Sequence, residues 1–220
     1  MPWAYDERKR TMARSFIIET KDIDKALALF FVFLAAFGAY TAFIRSDPIS
    51  QAQALAPMPV NIAAAYAFAV RAKPSGTTYL KEAAVPFLSF LFPTLILNLG
   101  LIVPTPYGLE WTWVVAVPGI VLSVLSVWYL RKCFSVLPAF RGVVDNGPYA
   151  IVRHPLYLGE TLYLAGIVLL RFSALGLVAF IAGLVLLAWR IRIEEHKLLF
   201  EPEYRTYAAK VRYRFIPYIY

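Results

Sequence analysis

"PLYLGETLYLAGIVLLRFSALGLVAFIAGLVLLAWRIRIEE", from Pro155 to Glu195, holds two apolar runs, about 156–170 and 174–189, parted only by "RFSA" at Arg171 to Ala174. So short a connector makes the two runs a tight helical hairpin. Each run is short against the ~20 helical residues that a ~30 Å hydrocarbon core requires, so the hairpin need not reach the far surface squarely. Outward from it lie four more apolar segments, about 26–44, 53–70, 83–103 and 111–130. The second is alanine-rich and interrupted by Pro57 and Pro59. Pro86, Pro93 and Pro118 fall inside other segments, where neighbouring helices can satisfy the freed carbonyls. The expectation is an all-α integral membrane protein of about six transmembrane helices. It forms one membrane domain over 1–220: a tail at 1–25, a four-span bundle at 26–130 and a more polar region at 131–220.

Composition agrees. Of the 220 residues, 60% are hydrophobic and 16% charged, whereas soluble domains are about a quarter charged. The net charge of +8 raises nucleic acid as a partner, but its distribution points to the membrane. Twenty of the 22 Lys and Arg fall in 1–25, 71–82, 131–155 and 190–220, leaving only Arg45 and Arg171 for the other side. Six spans with both termini cytosolic follow from the positive-inside rule; in a bacterium the membrane is the inner one. A single cysteine, Cys133, leaves no intrachain disulfide, and two histidines leave no protein-bound metal expected. No cleavable signal peptide is evident in the mixed-charge first 25 residues. Segment 8–19 reads as a solvated tail before a short interfacial helix. None of the eleven glycines forms G-x-G, so a Rossmann-type nucleotide site is not expected.

The polar residues gather in two stretches. One is the last long loop, "RKCFSVLPAFRGVVDNGPYAIVRHPLY" (Arg131 to Tyr157). The other is "WRIRIEEHKLLFEPEYRTYAAKVRYRFIPYIY" (Trp189 to Tyr220). The hairpin brings their ends together at one inner mouth. Asn146-Gly147 tolerates positive φ and Pro148 fixes the turn. His154 precedes a proline and is biased out of the α region, while Pro155 suits the first helical position. The helix then opens with free N–H groups aimed at the loop, ready for a carboxylate. Glu160 lies one turn inside, near Tyr157 and Tyr163. Arg190 and Glu194 share a helix face; Glu195 points about 100° away. Taken singly these are ordinary: arginines snorkel and pair, tyrosines form interfacial belts, and Glu160 pairs with Arg153. Two acids and two arginines at one mouth exceed what topology needs, and an acid inside a membrane helix must be paired, protonated or functional.

"GPYAIVRHPLYLGE" (Gly147 to Glu160), then "RIRIEE" (Arg190 to Glu195) and the pair Tyr204 and Tyr207, resemble the isoprenylcysteine carboxyl methyltransferase and phospholipid methyltransferase family of integral membrane enzymes. The resemblance covers about 128–220. It implies S-adenosylmethionine as cofactor, enclosed on the cytosolic side, and a lipophilic acceptor admitted from the bilayer. Carried over by position, Arg141, Gly142, Val143 and Val144 line the cofactor. Tyr149, His154, Pro155, Leu156 and Tyr157 cradle it, and Glu194 receives its ammonium. Arg190 takes the place of the arginine that orients the acceptor. Glu160 stands where the prenylcysteine enzymes carry a bulky aromatic, and the segment from Glu195 to Tyr204 is about two residues shorter. Both departures point away from a prenylcysteine acceptor. An amine acceptor starts protonated and needs a base, for which Glu160 is the candidate. Two other functions compete with this one. A membrane reductase resembling sterol reductases would bind NADPH, with Arg212 and Arg214 toward its 2′-phosphate. A transporter or scaffold would need polar residues through the spans, where Asn98 and Glu160 are almost alone.

Overall fold

The computed structural model describes residues 20–72, 88–89, 112–136, 140–170 and 174–219. Expectations on 8–19, on the third span at 83–103 (apart from its two helical residues 88–89), on the external loop before 111 and on the connector 171–173 lie outside these residues. The described chain is helical throughout its regular elements: α1 (Thr20–Ile44), α2 (Pro48–Leu55), α3 (Met58–Val70), α4 (Trp113–Leu130), α5 (Pro155–Leu170), α6 (Ala174–Leu198) and α7 (Pro202–Lys210). Four stretches are long and apolar enough to cross a membrane: Lys25–Ile44, Pro48–Val70, Trp113–Cys133 and Ala174–Leu198.

The second segment is two helices. Asp47 caps α2, its carboxylate accepting the Ser50 N–H at 2.7 Å, and Pro48 takes the first turn. The chain breaks at Ala56 and Pro57 before α3 begins. α3 packs on α1 through stacked Phe31 and Phe68 rings, 5.6 Å apart.

The hairpin differs from expectation in two ways. α5 packs most extensively on α4 and only lightly on α6. The reason is a row of small residues. A Cβ on Gly159 would lie 2.5 Å from the Ser123 hydroxyl and 2.7 Å from the Gly119 carbonyl, and one on Gly166 would lie 2.7 Å from Ala116 Cβ. Backbones this close exclude any larger side chain, the usual means of helix association where lipid offers no hydrophobic drive. The second difference is length. The last span does not end at 189; α6 continues unbroken to Leu198, a 25-residue helix, because nothing between Trp189 and Leu198 breaks it. Arg190, Glu194 and Glu195 therefore stand on the prolongation of a membrane helix, at fixed angles to one another. α5, with 16 residues, spans about 24 Å at ~1.5 Å per residue, and is short as expected.

Candidate active site

α4 ends in a single turn, Arg131–Cys133, and the loop beyond it returns to α5 through a second, Gly147–Ala150. Of Asn146-Gly147, it is Gly147 that takes positive φ (58°), and a Cβ there would strike the Tyr129 ring at 2.6 Å. Arg153 and His154 then run extended beside the chain after α7: the Arg153 N–H donates to Tyr213 O at 2.9 Å and that of His154 to Arg214 O at 2.8 Å. α6, α7 and this terminal segment close on the loop around a cleft with about 790 Å³ of empty space, its mouth included.

Two adjacent acids on α6 are used differently. Glu195 is saturated. Its Oε1 accepts Arg153 Nε and Tyr204 OH at 3.0 and 2.6 Å and lies 3.0 Å from His154 Nε2; its Oε2 accepts Arg153 NH2 at 2.8 Å. Arg214 Nε is 3.6 Å from the same oxygen. Arg153 completes the knot by donating NH1 to the carbonyls of Val211 (2.8 Å) and Arg212 (3.2 Å). A buried carboxylate in a bidentate, fully partnered pair is stable only as a set.

Glu194 is half satisfied. Its Oε1 accepts Tyr157 OH at 2.6 Å and Arg190 Nε at 3.1 Å. Its Oε2 accepts no hydrogen bond among the described residues, and His154 Nδ1 stands 4.0 Å away. Glu194 lines the cleft and Glu195 does not. Tyr157 is held between two groups, with the His154 ring stacked on it at 5.4 Å and Arg190 Cζ 4.6 Å from its centroid. Arg190 also donates to Val136 O at 3.1 Å and Ser89 Oγ at 3.3 Å.

Of the residues expected from the sequence, Arg141, Gly142, Val143, Val144, Tyr149, His154, Leu156, Tyr157 and Glu194 line this one cleft. Pro155 is buried behind it, and Arg190 stands behind Glu194. Glu160 lies one turn deeper on α5, half-buried, outside the lining but within electrostatic reach of Arg190 and Glu194. It makes no hydrogen bond or ion pair among the described residues, and Arg153, its expected structural partner, is occupied by Glu195. The sequence reading gave no role to Cys133, Ser135 or Leu198, which also line the cleft, and it underrated Glu195 and Arg153. The signal for the last two was two consecutive acids on one helix, which must face different partners. Tyr204 and Tyr207 close the cleft from α7. Burial first, then the charge of Glu195, holds Tyr204 protonated far above the usual phenol range, which keeps it a donor.

An incomplete carboxylate beside stacked rings, walled by Val143, Val144 and Leu156, suits a ligand with an ammonium group and an apolar or aromatic body. Among the described residues no group of three or more His, Cys, Asp or Glu is placed to hold a metal ion. No curated protein matches the chain significantly. The family model of phospholipid methyltransferases matches residues 111–202, from the start of α4 to the first residue of α7. That stretch contains the Arg-His-Pro turn, the small-residue crossing and both α6 acids, so the likeness to phospholipid methyltransferases falls on the membrane helices and loop that build the cleft.

Proposed function

We propose that the protein is an S-adenosylmethionine-dependent membrane methyltransferase acting on a lipophilic acceptor at the cytosolic face, with both termini on that side. The observation that carries this is Glu194: within the stretch that resembles phospholipid methyltransferases, one carboxylate oxygen is fixed by Tyr157 and Arg190 while the other accepts nothing among the described residues, at the lining of the cleft. That oxygen would receive the cofactor's ammonium, and the residues present fit the group. When bound, S-adenosylmethionine supplies a methyl group already activated on a sulfonium. The chain's task is then to hold, orient and exclude water, which supplies several kcal/mol of the barrier. Tyr157, gripped by His154 and Arg190, fixes the floor; Tyr149, Val143 and Val144 form the wall; Arg141 and Gly142 close the loop side. Arg190 fixes Glu194 and, through its longest contact, to Ser89, has a donor that an acceptor can displace. Glu160, deeper along α5, takes the proton of an amine acceptor or fixes its polar head.

Calorimetry on the purified protein tests this directly. S-adenosylmethionine or its demethylated product should bind and NADPH should not; the reverse would make the protein a reductase. Glu160→Gln should leave cofactor affinity nearly intact and lower turnover about tenfold or more, ~1.4 kcal/mol of transition-state stabilisation. Full turnover in a folded variant would make Glu160 structural. In sealed vesicles, protease added outside should leave the C-terminal tail intact; its cleavage would invert the topology.

A further inference from the structure

A single imidazole stands between the two α6 acids. His154 turns Nε2 toward Glu195 Oε1 at 3.0 Å and Nδ1 toward Glu194 Oε2 at 4.0 Å. The ring is buried and stacked on Tyr157 with only 7° between the planes, and the residue is tied by its backbone N–H to Arg214 O. A half-turn of the ring would present carbon to both acids. Glu195 Oε1 is reached at the same time by Arg153 Nε at 3.0 Å and Tyr204 OH at 2.6 Å. Both arrive as donors, so this oxygen is an acceptor toward every group around it.

A neutral imidazole carries one N–H and one lone pair, and the hydrogen bond made by one nitrogen decides the state of the other. An ionised carboxylate only accepts, so Glu195 draws the proton to Nε2. Nδ1 is left with its lone pair facing Glu194 Oε2. Two acceptors at that separation make no bond to each other, but one ammonium between them can donate to both. A protonated His154 would instead turn a donor toward Glu194 Oε2 and compete for it. The other charged and titratable groups about the ring are committed elsewhere. Arg153 and Tyr204 bind Glu195, and Arg214 Nε lies 3.6 Å from its Oε2. Tyr157 and Arg190 bind Glu194 Oε1, and Tyr207 binds Tyr149 O.

We infer that Glu195 is a positioning residue. It fixes His154 as the Nε2–H tautomer, which makes Nδ1 a second acceptor beside Glu194 for the cofactor's ammonium and makes a proton on His154 a competitor of the cofactor. The inference rests on the cofactor proposed above. It gives the buried knot a part in binding although Glu195 itself does not line the cleft.

The chain has two histidines, and the other, His196, is exposed on α6. His196→Gln therefore leaves a single imidazole for nitrogen NMR of the full chain in detergent. At pH ~8, where histidine is ordinarily neutral, the ligand-free protein should show Nε2 protonated and Nδ1 bare. The opposite tautomer, or an even mixture, overturns the inference before any cofactor is added. Adding Glu195→Gln should admit the second tautomer, because an amide no longer obliges its neighbour to donate; an unchanged pattern in that folded variant removes Glu195 as the positioning residue. Calorimetry with S-adenosylmethionine supplies the second reading. Once His154 takes up its proton, affinity should fall by about tenfold per pH unit, the slope for one linked proton. In His154→Gln, whose side chain can accept without being protonated, that slope should vanish. The same slope in both proteins would assign the proton to Glu194 and overturn the competition. An Nε2–H tautomer in a protein that binds no S-adenosylmethionine at any pH would defeat the cofactor reading while sustaining the hold of Glu195 on His154; binding with the wrong tautomer would do the opposite.

Discussion

At the crossing of α4 and α5, contact is made by residues with almost no side chain: Gly119, Ser123, Gly159, Gly166 and Ala116. In the cradle at the end of α5, contact is made by the most polar side chains in the domain, with Arg153, His154, Arg190, Glu194 and Glu195 all buried. The crossing is determined by shape. Any of several sequences of small residues would serve it, and its failure is a clash. The cradle is determined by valence: each charge is buried because a specific partner is, and its failure is an orphaned ion. The difference teaches where function resides. A fully satisfied knot is scaffold, an incomplete one is a site, and the two α6 acids stand one on each side of that line.

Glu195→Ala should produce the largest effect. It strands Arg153 and His154 in the interior and removes the anchor of α7, for which loss of one partner from a buried pair predicts about 3–5 kcal/mol. Thermal unfolding in detergent measures it. A cost below about 1 kcal/mol would mean that water reaches the knot and that burial in the cradle is not what fixes it. Glu194→Gln, one residue away, should behave differently. Cofactor affinity should fall by about 1.5–3 kcal/mol, the range for a charge-assisted hydrogen bond, with much less change in unfolding temperature. Equal destabilisation by the two variants would erase the distinction between scaffold and site; unchanged affinity in Glu194→Gln would remove Glu194 from the cofactor.

The crossing is tested by adding atoms. Gly159→Ala places a Cβ 2.5 Å from the Ser123 hydroxyl, so overpacking of about 1–3 kcal/mol should outweigh the gain in helix propensity. Gly183→Ala is the control, because a Cβ there meets nothing within 4 Å. It should be neutral or stabilising by up to about 1 kcal/mol. If both glycines tolerate alanine equally, α4 and α5 are not in close contact.

The same division explains what was legible in the sequence. Helical class, apolar spans and the Arg-His-Pro loop all follow from local composition and spacing, and nine of the ten expected cofactor residues line one cleft with only Pro155 behind it. The crossing was not legible. Gly159 and Gly166 are seven apart in a run that reads as apolar throughout, and their partners, Ala116, Gly119 and Ser123, lie across a long loop. The short connector is the more visible feature of the hairpin, and on α6 Gly183 faces open space. The length of α6 was partly legible: Arg190, Glu194 and Glu195 read as one helical stretch, but hydropathy ends at 189 where charge begins, although the helix does not. Nor could the end of α3 be tied to Arg141, since about 70 positions of chain separate them and the contact is made on a backbone carbonyl, that of Ala72.

The smallest expected effect tests the edge of the cradle, where α7 is tied to the loop. Tyr207 OH donates to Tyr149 O at 2.7 Å. Tyr207→Phe removes the donor and leaves a buried carbonyl unpaired, a loss of about 0.5–1.5 kcal/mol. The bond also predicts a pH dependence. Only a protonated phenol can donate, and burial raises the Tyr207 pKa above its ordinary 10.0, with the nearby Arg153 opposing and Glu195 and Asp145 reinforcing the shift. Because the folded-state pKa is the higher one, the folded protein holds the proton more tightly than the unfolded chain. This contribution to stability is therefore complete below pH ~10 and lost as pH rises from there toward the folded-state value. Buried Tyr149 and Tyr204 are raised in the same direction and share the decline. Wild type should accordingly lose unfolding temperature above pH ~10, and Tyr207→Phe should lose it less steeply, so that the two curves converge. Parallel curves would show that Tyr207 titrates alike in both states, and that the edge of the cradle is open to water where its centre is not.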